Sequence, residues 1–139
     1  MPNDASVPDA AVRARLEDAA RGLLYTSESD RPFTYVSLRR PTGELTPANF
    51  ATAIGAPPGT PAAEQTVDAF LARHIERAPA DDPAMQTLRP KYEALKAELR
   101  RVGSEVRVFR VGSIEVRCFA VADDGRGNLV GLETVSVET

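Results

Sequence analysis

The C-terminal stretch FRVGSIEVRCFAVADDGRGNLVGLETVSVET, Phe109–Thr139, carries the clearest signal of the fold. Runs rich in valine, leucine and phenylalanine alternate with short turn signals, which is typical of strands joined by hairpins. Gly112-Ser113 predicts a two-residue hairpin turn with glycine where a positive φ is needed, and Asp123–Asn128 predicts a longer turn. The stretch therefore predicts an antiparallel meander. Its strands are predicted at Glu105–Val111, Ile114–Ala122 and Leu129–Val137.

Apolar side chains occupy both faces of these strands. In the middle strand Ile114, Val116 and Cys118 fall on one side, whereas Phe119 and Val121 fall on the other. A sheet that is apolar on both faces needs cover on both, and helices are the usual cover. The pattern predicts an α+β fold, a three-layer α/β/α sandwich with a mainly antiparallel central sheet.

Helical spacing of apolar residues predicts helices at four places before the meander. The first follows Asp9, a capping residue, and closes at Gly22, while the second begins at Thr46-Pro47. Phe33–Leu38 predicts a strand, and Gly55–Ala63 predicts a loop because it is rich in proline and glycine. The predicted inward-facing residues are Val12, Leu16, Ala19 and Ala20; Phe50, Ala53 and Ile54; Val67, Phe70, Leu71, His74 and Ile75; and Leu88, Tyr92, Leu95, Leu99 and Val102.

Size and composition limit the possible functions. The 139 residues predict a single domain over 9–139 after a disordered N-terminal tail over 1–8. The apolar share of 42% and the charged share of 27% are ordinary for a soluble protein, and a net charge of −3 disfavours nucleic acid as the main partner. One cysteine, no signal peptide and no membrane-spanning run predict a cytoplasmic location.

Candidates for catalysis or metal binding are few. His74 lies on the apolar stripe of its predicted helix, and Cys118 alternates with apolar residues along a strand, so packed side chains are favoured over a base and a nucleophile. Asp123-Asp124-Gly125 lacks the later ligands of a calcium loop, and the basic run between Arg89 and Arg110 is interpreted as a solvated face. We therefore expect a protein that is not an enzyme and has no cofactor or metal of its own.

A polar connector, LLYTSESDRPF (Leu23–Phe33), follows the first predicted helix. Together with the C-terminal stretch, it resembles the nuclease A inhibitor family, whose best-known member blocks a sugar-nonspecific, Mg-dependent nuclease. TVDAFLAR also resembles the start of the family's central helix, so that the resemblance covers roughly residues 10–139. The other matching motifs are the SES-acid-x-PF connector, R-x-G at Arg110–Gly112, the glycine-asparagine-leucine turn at Gly127–Leu129 and the final V-E-T at Val137–Thr139.

The resemblance implies an inhibitor whose SES loop and last residue enter the active-site cleft of such a nuclease. Glu28 would offer its carboxylate to an arginine that grips the scissile phosphate, and Thr139 would present its hydroxyl or carboxylate towards the catalytic Mg²⁺, directly or through water. An acidic protein is steered into a cationic cleft as a nucleic-acid mimic, and we expect a monomer that forms a 1:1 complex. The implied partner-binding residues are Ser27, Glu28, Ser29, Asp30, Glu138 and Thr139.

Other interpretations stay open. The family's contact surface includes a tryptophan between two central helices, but this chain contains no tryptophan and has Arg77-Ala78-Pro79-Ala80 in the corresponding loop. This difference supports a noncatalytic interaction or adaptor domain of the same fold with a non-nuclease partner. A small enzyme that uses His74 or Cys118 is a further alternative. Locally, the hydroxyls and acids of residues 27–30 could serve only to cap backbone groups of a turn.

Overall fold

A computed structural model describes residues 10–139, so the predicted tail and the Asp9 cap lie outside the described residues. No helix within this range is long and apolar enough to cross a membrane. The helices are α1 (Ala10–Ala20), α2 (Pro47–Ala53), α3 (Val67–Leu71) and α4 (Pro83–Val102). The strands are β1 (Leu24–Thr26), β2 (Asp30–Pro32), β3 (Thr34–Arg39), β4 (Ala62–Thr66), β5 (Arg107–Val111), β6 (Glu115–Asp123) and β7 (Asn128–Val137).

The main sheet has five strands in the order β3-β7-β6-β5-β4, and every neighbouring pair is antiparallel. Strands β5, β6 and β7 are neighbours in sequence and in space, which confirms the predicted C-terminal meander. A separate antiparallel pair, β1 and β2, forms a second small sheet. The α+β class with an antiparallel central sheet is therefore confirmed.

Two apolar clusters lie on opposite faces of the main sheet, because successive residues of a strand point to opposite sides. Val108 belongs to a cluster that also contains residues of α1, α3 and α4, whereas its neighbour Phe109 belongs to a cluster with Phe50 of α2. The two phenylalanine rings stack with centroids 4.4 Å apart. Helices thus contribute to both clusters, and the three-layer arrangement stays a prediction.

Helix starts follow the capping chemistry of the sequence. The Thr46 hydroxyl accepts a hydrogen bond from the Asn49 N–H at 3.1 Å, and Pro47 occupies the first turn of α2 as predicted. The Asp82 carboxylate caps α4 in the same way, at 3.2 Å from the Met85 nitrogen. These side chains satisfy N–H groups that have no partner within the helix.

The region before α4 differs from its prediction. Gly55–Ala63 was predicted as a loop, but Ala62 and Ala63 begin β4, which pairs only with β5 and forms one edge of the sheet. The helix predicted from Val67 to Ile75 is short, because α3 ends at Leu71 and turns follow it. The predicted stripe is nevertheless buried along its whole length, including His74 and Ile75.

Two further predictions are wrong in detail. Gly112-Ser113 does not form a two-residue hairpin turn, because the last paired residues are Val111 and Arg117, and Ile114 lies in the longer connection with 61% of its surface exposed. Ile114 is therefore not a core residue. In α2 the buried alanine is Ala51, whereas Ala53 is exposed.

Candidate partner-binding site

The polar connector is a β-hairpin and not an irregular link. Thr26 of β1 pairs with Asp30 of β2, so residues 27–29 form the turn between them. The Ser27 N–H donates to the Ser29 carbonyl at 2.9 Å, and the Thr26 hydroxyl donates to the Asp30 carboxylate at 2.9 Å. The Ser29 hydroxyl accepts from Arg31 at 3.1 Å. Ser27, Ser29 and Asp30 therefore shape the turn from within.

Aromatic packing fixes the hairpin to the helices. Tyr25 stacks on Phe70 of α3 with ring centroids 4.6 Å apart. The Thr26 N–H donates to Nε2 of His74 at 3.2 Å, and the Thr26 carbonyl accepts from Arg73 at 3.1 Å. Both backbone polar groups of Thr26 are thus satisfied by the segment after α3, which sets the position of the turn.

The hairpin also lies against the last residues of β7. The Thr134 hydroxyl donates to the Pro32 carbonyl at 2.9 Å, and the Val137 N–H donates to the Ser27 hydroxyl at 2.9 Å. The Glu28 N–H donates to the Val137 carbonyl at 3.3 Å. These bonds bring the turn beside the end of the sequence.

Glu28 and Thr139 are in direct contact on the surface. The backbone N–H of Thr139 donates to one oxygen of the Glu28 carboxylate, and the Thr139 hydroxyl donates to the other at 2.7 Å. Both residues are exposed. The hydrogen bonds from the Thr139 hydroxyl and N–H lower the pKa of the Glu28 carboxyl, because they stabilise its charged form.

Glu138 points back onto the sheet. Its carboxylate pairs with Arg110 of β5 and accepts from the Ser136 hydroxyl at 2.7 Å, while its N–H donates to the Ile114 carbonyl at 2.8 Å. The bond from Arg110 is the main reason that the pKa of Glu138 is lowered. Glu138 therefore positions the tail, and its carboxylate is already engaged.

A cavity of about 360 Å³ lies next to the Glu28–Thr139 contact. Its walls are the hairpin turn, residues 136–139 and the segment that carries Arg73 and Arg77. A larger groove of about 710 Å³ runs between α1 and the start of β3 and holds none of the predicted site residues. The smaller cavity is the one that joins the two predicted site segments.

Comparison with known proteins matches residues 10–139 to the family described as nuclease A inhibitor-like protein. The chain belongs to this family. The match extends over nearly the whole chain, including both segments of the candidate site. A search of curated proteins found no match. Membership of the nuclease A inhibitor-like family suggests a nuclease as the protein partner and a role other than catalysis.

His74 and Cys118 have structural positions in this inhibitor-like protein. His74 is 5% exposed, stacks on Tyr92 at 4.1 Å, and uses Nε2 to accept the Thr26 N–H. Burial is the main cause that lowers the pKa of His74 and that raises the pKa of Cys118 to about 11. A thiol with that pKa is protonated at neutral pH, so Cys118 lacks the thiolate that a nucleophile needs.

The predicted turn at Asp123–Asn128 is confirmed, with Asp124 at its centre. One carboxylate oxygen of Asp124 accepts from the Arg126 N–H at 2.7 Å and from the Asn128 N–H at 3.2 Å. The other oxygen accepts from the Asn128 side chain at 3.1 Å. Across residues 10–139 no cluster of three or more histidines, cysteines and carboxylates could hold a metal ion.

Arg110 is a site residue that sequence reasoning missed. It lies within the R-x-G motif at Arg110–Gly112, and its ion pair with Glu138 joins that motif to the V-E-T end. Its signal in the sequence was an arginine between the apolar residues Phe109 and Val111 of a predicted strand. Such a residue has to find a partner at the sheet surface, and here the partner is the tail.

Proposed function

We propose that this protein inhibits a sugar-nonspecific, Mg²⁺-dependent endonuclease by occupying its active site. The turn at residues 27–30 and Thr139 enter the cleft together as an acidic mimic of nucleic acid. The observation that carries the proposal is the contact between Glu28 and Thr139, which are 111 positions apart in sequence and share one exposed point. Membership of the nuclease A inhibitor-like family supports a nuclease as the partner.

The carboxylate of Glu28 keeps room for an arginine. A carboxylate offers about four lone-pair sites, and Thr139 uses one on each oxygen of Glu28. A guanidinium of the nuclease binds the remaining sites in a charge-assisted, bidentate geometry. Because Thr139 already holds the carboxylate in place, little side-chain freedom is lost on binding.

The hydroxyl of Thr139 is oriented for the metal side of the cleft. It donates its proton to Glu28, so both lone pairs of its oxygen stay available as acceptors. Magnesium in nucleases retains several waters, whose protons need acceptors of this kind. The hydroxyl oxygen therefore binds the metal through a water, or directly when a water is displaced.

Variants of the contact test the proposal. Glu28→Ala, Glu28→Gln and a chain lacking Thr139 are expected to raise the Kd for the endonuclease of the source organism by roughly 10- to 1,000-fold, as for centrally placed interface residues. Glu44→Ala is a matched control, since Glu44 is an exposed carboxylate beside α2 on the other face of the sheet. Titration calorimetry gives the Kd and the 1:1 stoichiometry, and circular dichroism checks the fold. We call the turn at residues 27–30 together with Thr139 the plug. If the three variants bind like Glu44→Ala, the proposal that this plug occupies the active site is wrong.

One observation favours the alternative of an adaptor domain with another partner. No phenylalanine or tyrosine in residues 10–139 has an exposed side chain, and the loop that follows Arg77 has no aromatic residue. Aromatic anchors often dominate the energy of an interface. A nuclease protection assay separates the two functions: an adaptor leaves DNA and RNA digestion unchanged at any excess, whereas an inhibitor stops it at one equivalent.

A further inference from the structure

Most cations of this protein are paired with acids of the same chain. Across residues 10–139, which include every lysine and arginine of the sequence, most of these side chains lie within 4.0 Å of a described carboxylate. The cations that form no such ion pair are Arg39, Arg73, Arg77 and Lys91. Two of these, Arg73 and Arg77, line the cavity beside the Glu28–Thr139 contact.

The acids and the arginines that line this cavity do not pair with one another. Glu28 and Glu138 line it together with the two arginines, but Glu28 is held by Thr139 and Glu138 by Arg110. Arg73 reaches the Thr26 carbonyl at 3.1 Å, a neutral acceptor. The exposed Arg77 is fixed through its backbone, whose N–H donates to the Ala72 carbonyl at 2.7 Å, and its guanidinium has no described carboxylate within 4.0 Å.

We propose that Arg73 and Arg77 form a basic rim that binds a carboxylate of the nuclease next to its cationic cleft. This inference rests on the proposed function, because it places the rim on the same docking surface as Glu28. The surface then has an acidic apex, made by Glu28 and Thr139, and the basic rim at its side. The nuclease has to present complementary charges, with an arginine opposite the apex and an aspartate or glutamate opposite the rim.

Electrostatics explain why the partner needs that carboxylate. Two guanidinium groups without an ion-pair partner repel a uniformly cationic cleft, and like charges juxtaposed in an interface weaken binding. A carboxylate opposite the rim turns the same groups into charge-assisted hydrogen bonds. The rim therefore selects among nucleases that share a phosphate-binding arginine, since only those with an acid at the matching place are bound tightly.

Arg77 provides the cleaner test, because its side chain makes no hydrogen bond inside the described chain whereas Arg73 supports the hairpin. Arg77→Glu is expected to raise the Kd for the purified sugar-nonspecific endonuclease by about 10- to 100-fold at low salt, and Arg77→Ala by a smaller factor. Arg39→Glu is the matched control with the same change in charge. Arg39 pairs with Asn128, at the end of β7 opposite to Val137, so its effect stays within about twofold.

The outcomes separate this inference from the function on which it rests. If Glu28→Ala weakens binding but Arg77→Glu binds like Arg39→Glu, or tighter than the parent, the rim is wrong and the plug stands. If the parent protein does not bind the nuclease, both fall. A third outcome points to a phosphate ligand: a single-stranded oligonucleotide that binds the free protein, and loses affinity in Arg77→Glu, overturns the carboxylate as the occupant of the rim.

Discussion

The two halves of β7 are bound to the protein in different ways. Over residues 129–133 the strand lies between β6 and β3, with backbone ladders on both sides. From Thr134 to Val137 the ladder with β6 continues, but the other side meets the β1–β2 hairpin through the Thr134 and Ser27 hydroxyls and one backbone bond from the Glu28 N–H to the Val137 carbonyl. On that side the strand therefore changes from a backbone ladder to contacts made mainly by particular side chains.

This difference separates stability from recognition within one strand. A ladder needs only backbone groups and enough space between strands, so it tolerates many side chains on its faces. The second half relies on the hydroxyls of Thr134 and Ser27, which bond to the Pro32 carbonyl and the Val137 N–H where the first half has a strand ladder. The candidate site is built at the point where the ladder with β3 ends.

Gly131→Ala is expected to have the largest effect, because it breaks the doubly paired half. A Cβ at this position would lie 1.9 Å from the Ala120 carbonyl oxygen and 2.9 Å from Val121 Cα, both backbone atoms of β6. Forcing the strands apart is expected to lower the free energy of unfolding by about 3 kcal/mol. Urea denaturation measures this change.

Gly125→Ala is the control for that substitution. Gly125 has a φ of 78° but nothing within 4 Å of an added Cβ, so only backbone strain applies, at about 1 kcal/mol. If the two variants lose the same free energy of unfolding, β6 and β7 can move apart at little cost. The doubly paired half of β7 would then not be the more rigid one.

Ser27→Ala probes the second half and is expected to cost less. It removes the hydroxyl that accepts the Val137 N–H at 2.9 Å and leaves that N–H without this partner. The same hydroxyl also bonds to the backbone of Ser29 within the turn, so the expected loss is about 1 to 2 kcal/mol, against about 1 kcal/mol for one hydrogen bond. Faster amide hydrogen exchange at Val137, with unchanged exchange at Leu132, would place the loss at the hairpin contact. Equal acceleration at both positions would contradict the separation.

The meander was predictable because its signals are local. The alternating apolar residues lie within the strands that they predict, and the turn around Asp124 directly joins two of these strands. Strand β4 was not predictable in this way, because Ala62, Ala63 and Glu64 have low strand propensity and are held by pairing with β5, which is distant in sequence. The early end of α3 was not predictable either. The apolar stripe predicts that His74 and Ile75 are buried, as they are, but buried residues need not be helical.

The site was predictable only in part. Resemblance to the inhibitor family placed Glu28 and Thr139 in one docking surface, but residue patterns alone cannot show a contact across 111 positions. The hairpin itself escaped detection because its strands are three residues each. The roles of Arg73 and Arg77 depend on which charges remain unpaired, and that follows from the whole set of ion pairs and not from any motif.

Acid titration of Glu28 is expected to have the smallest effect and the most local one. Hydrogen bonds from Thr139 lower the pKa of the Glu28 carboxyl in the folded state, so the contact is complete above the ordinary pKa of a glutamate. It is lost as the pH falls through the lowered value, because protonation removes the charge that both donors of Thr139 bind. The main ladder of β7 does not depend on this carboxylate, so the thermal unfolding midpoint should hardly change from this group.

Nitrogen-15 NMR can follow the Thr139 amide through this titration, and carbon-13 NMR can follow the side-chain carboxyl of Glu28. The midpoint of Glu28 should move up in a chain that lacks Thr139, since both stabilising donors are then absent. Amides of residues 129–133 should not respond at the same pH, because this part of β7 pairs through its backbone with β3 and β6. A midpoint that is the same with and without Thr139 would mean that the contact does not persist in solution, and the free protein would then reach the nuclease without a preformed plug.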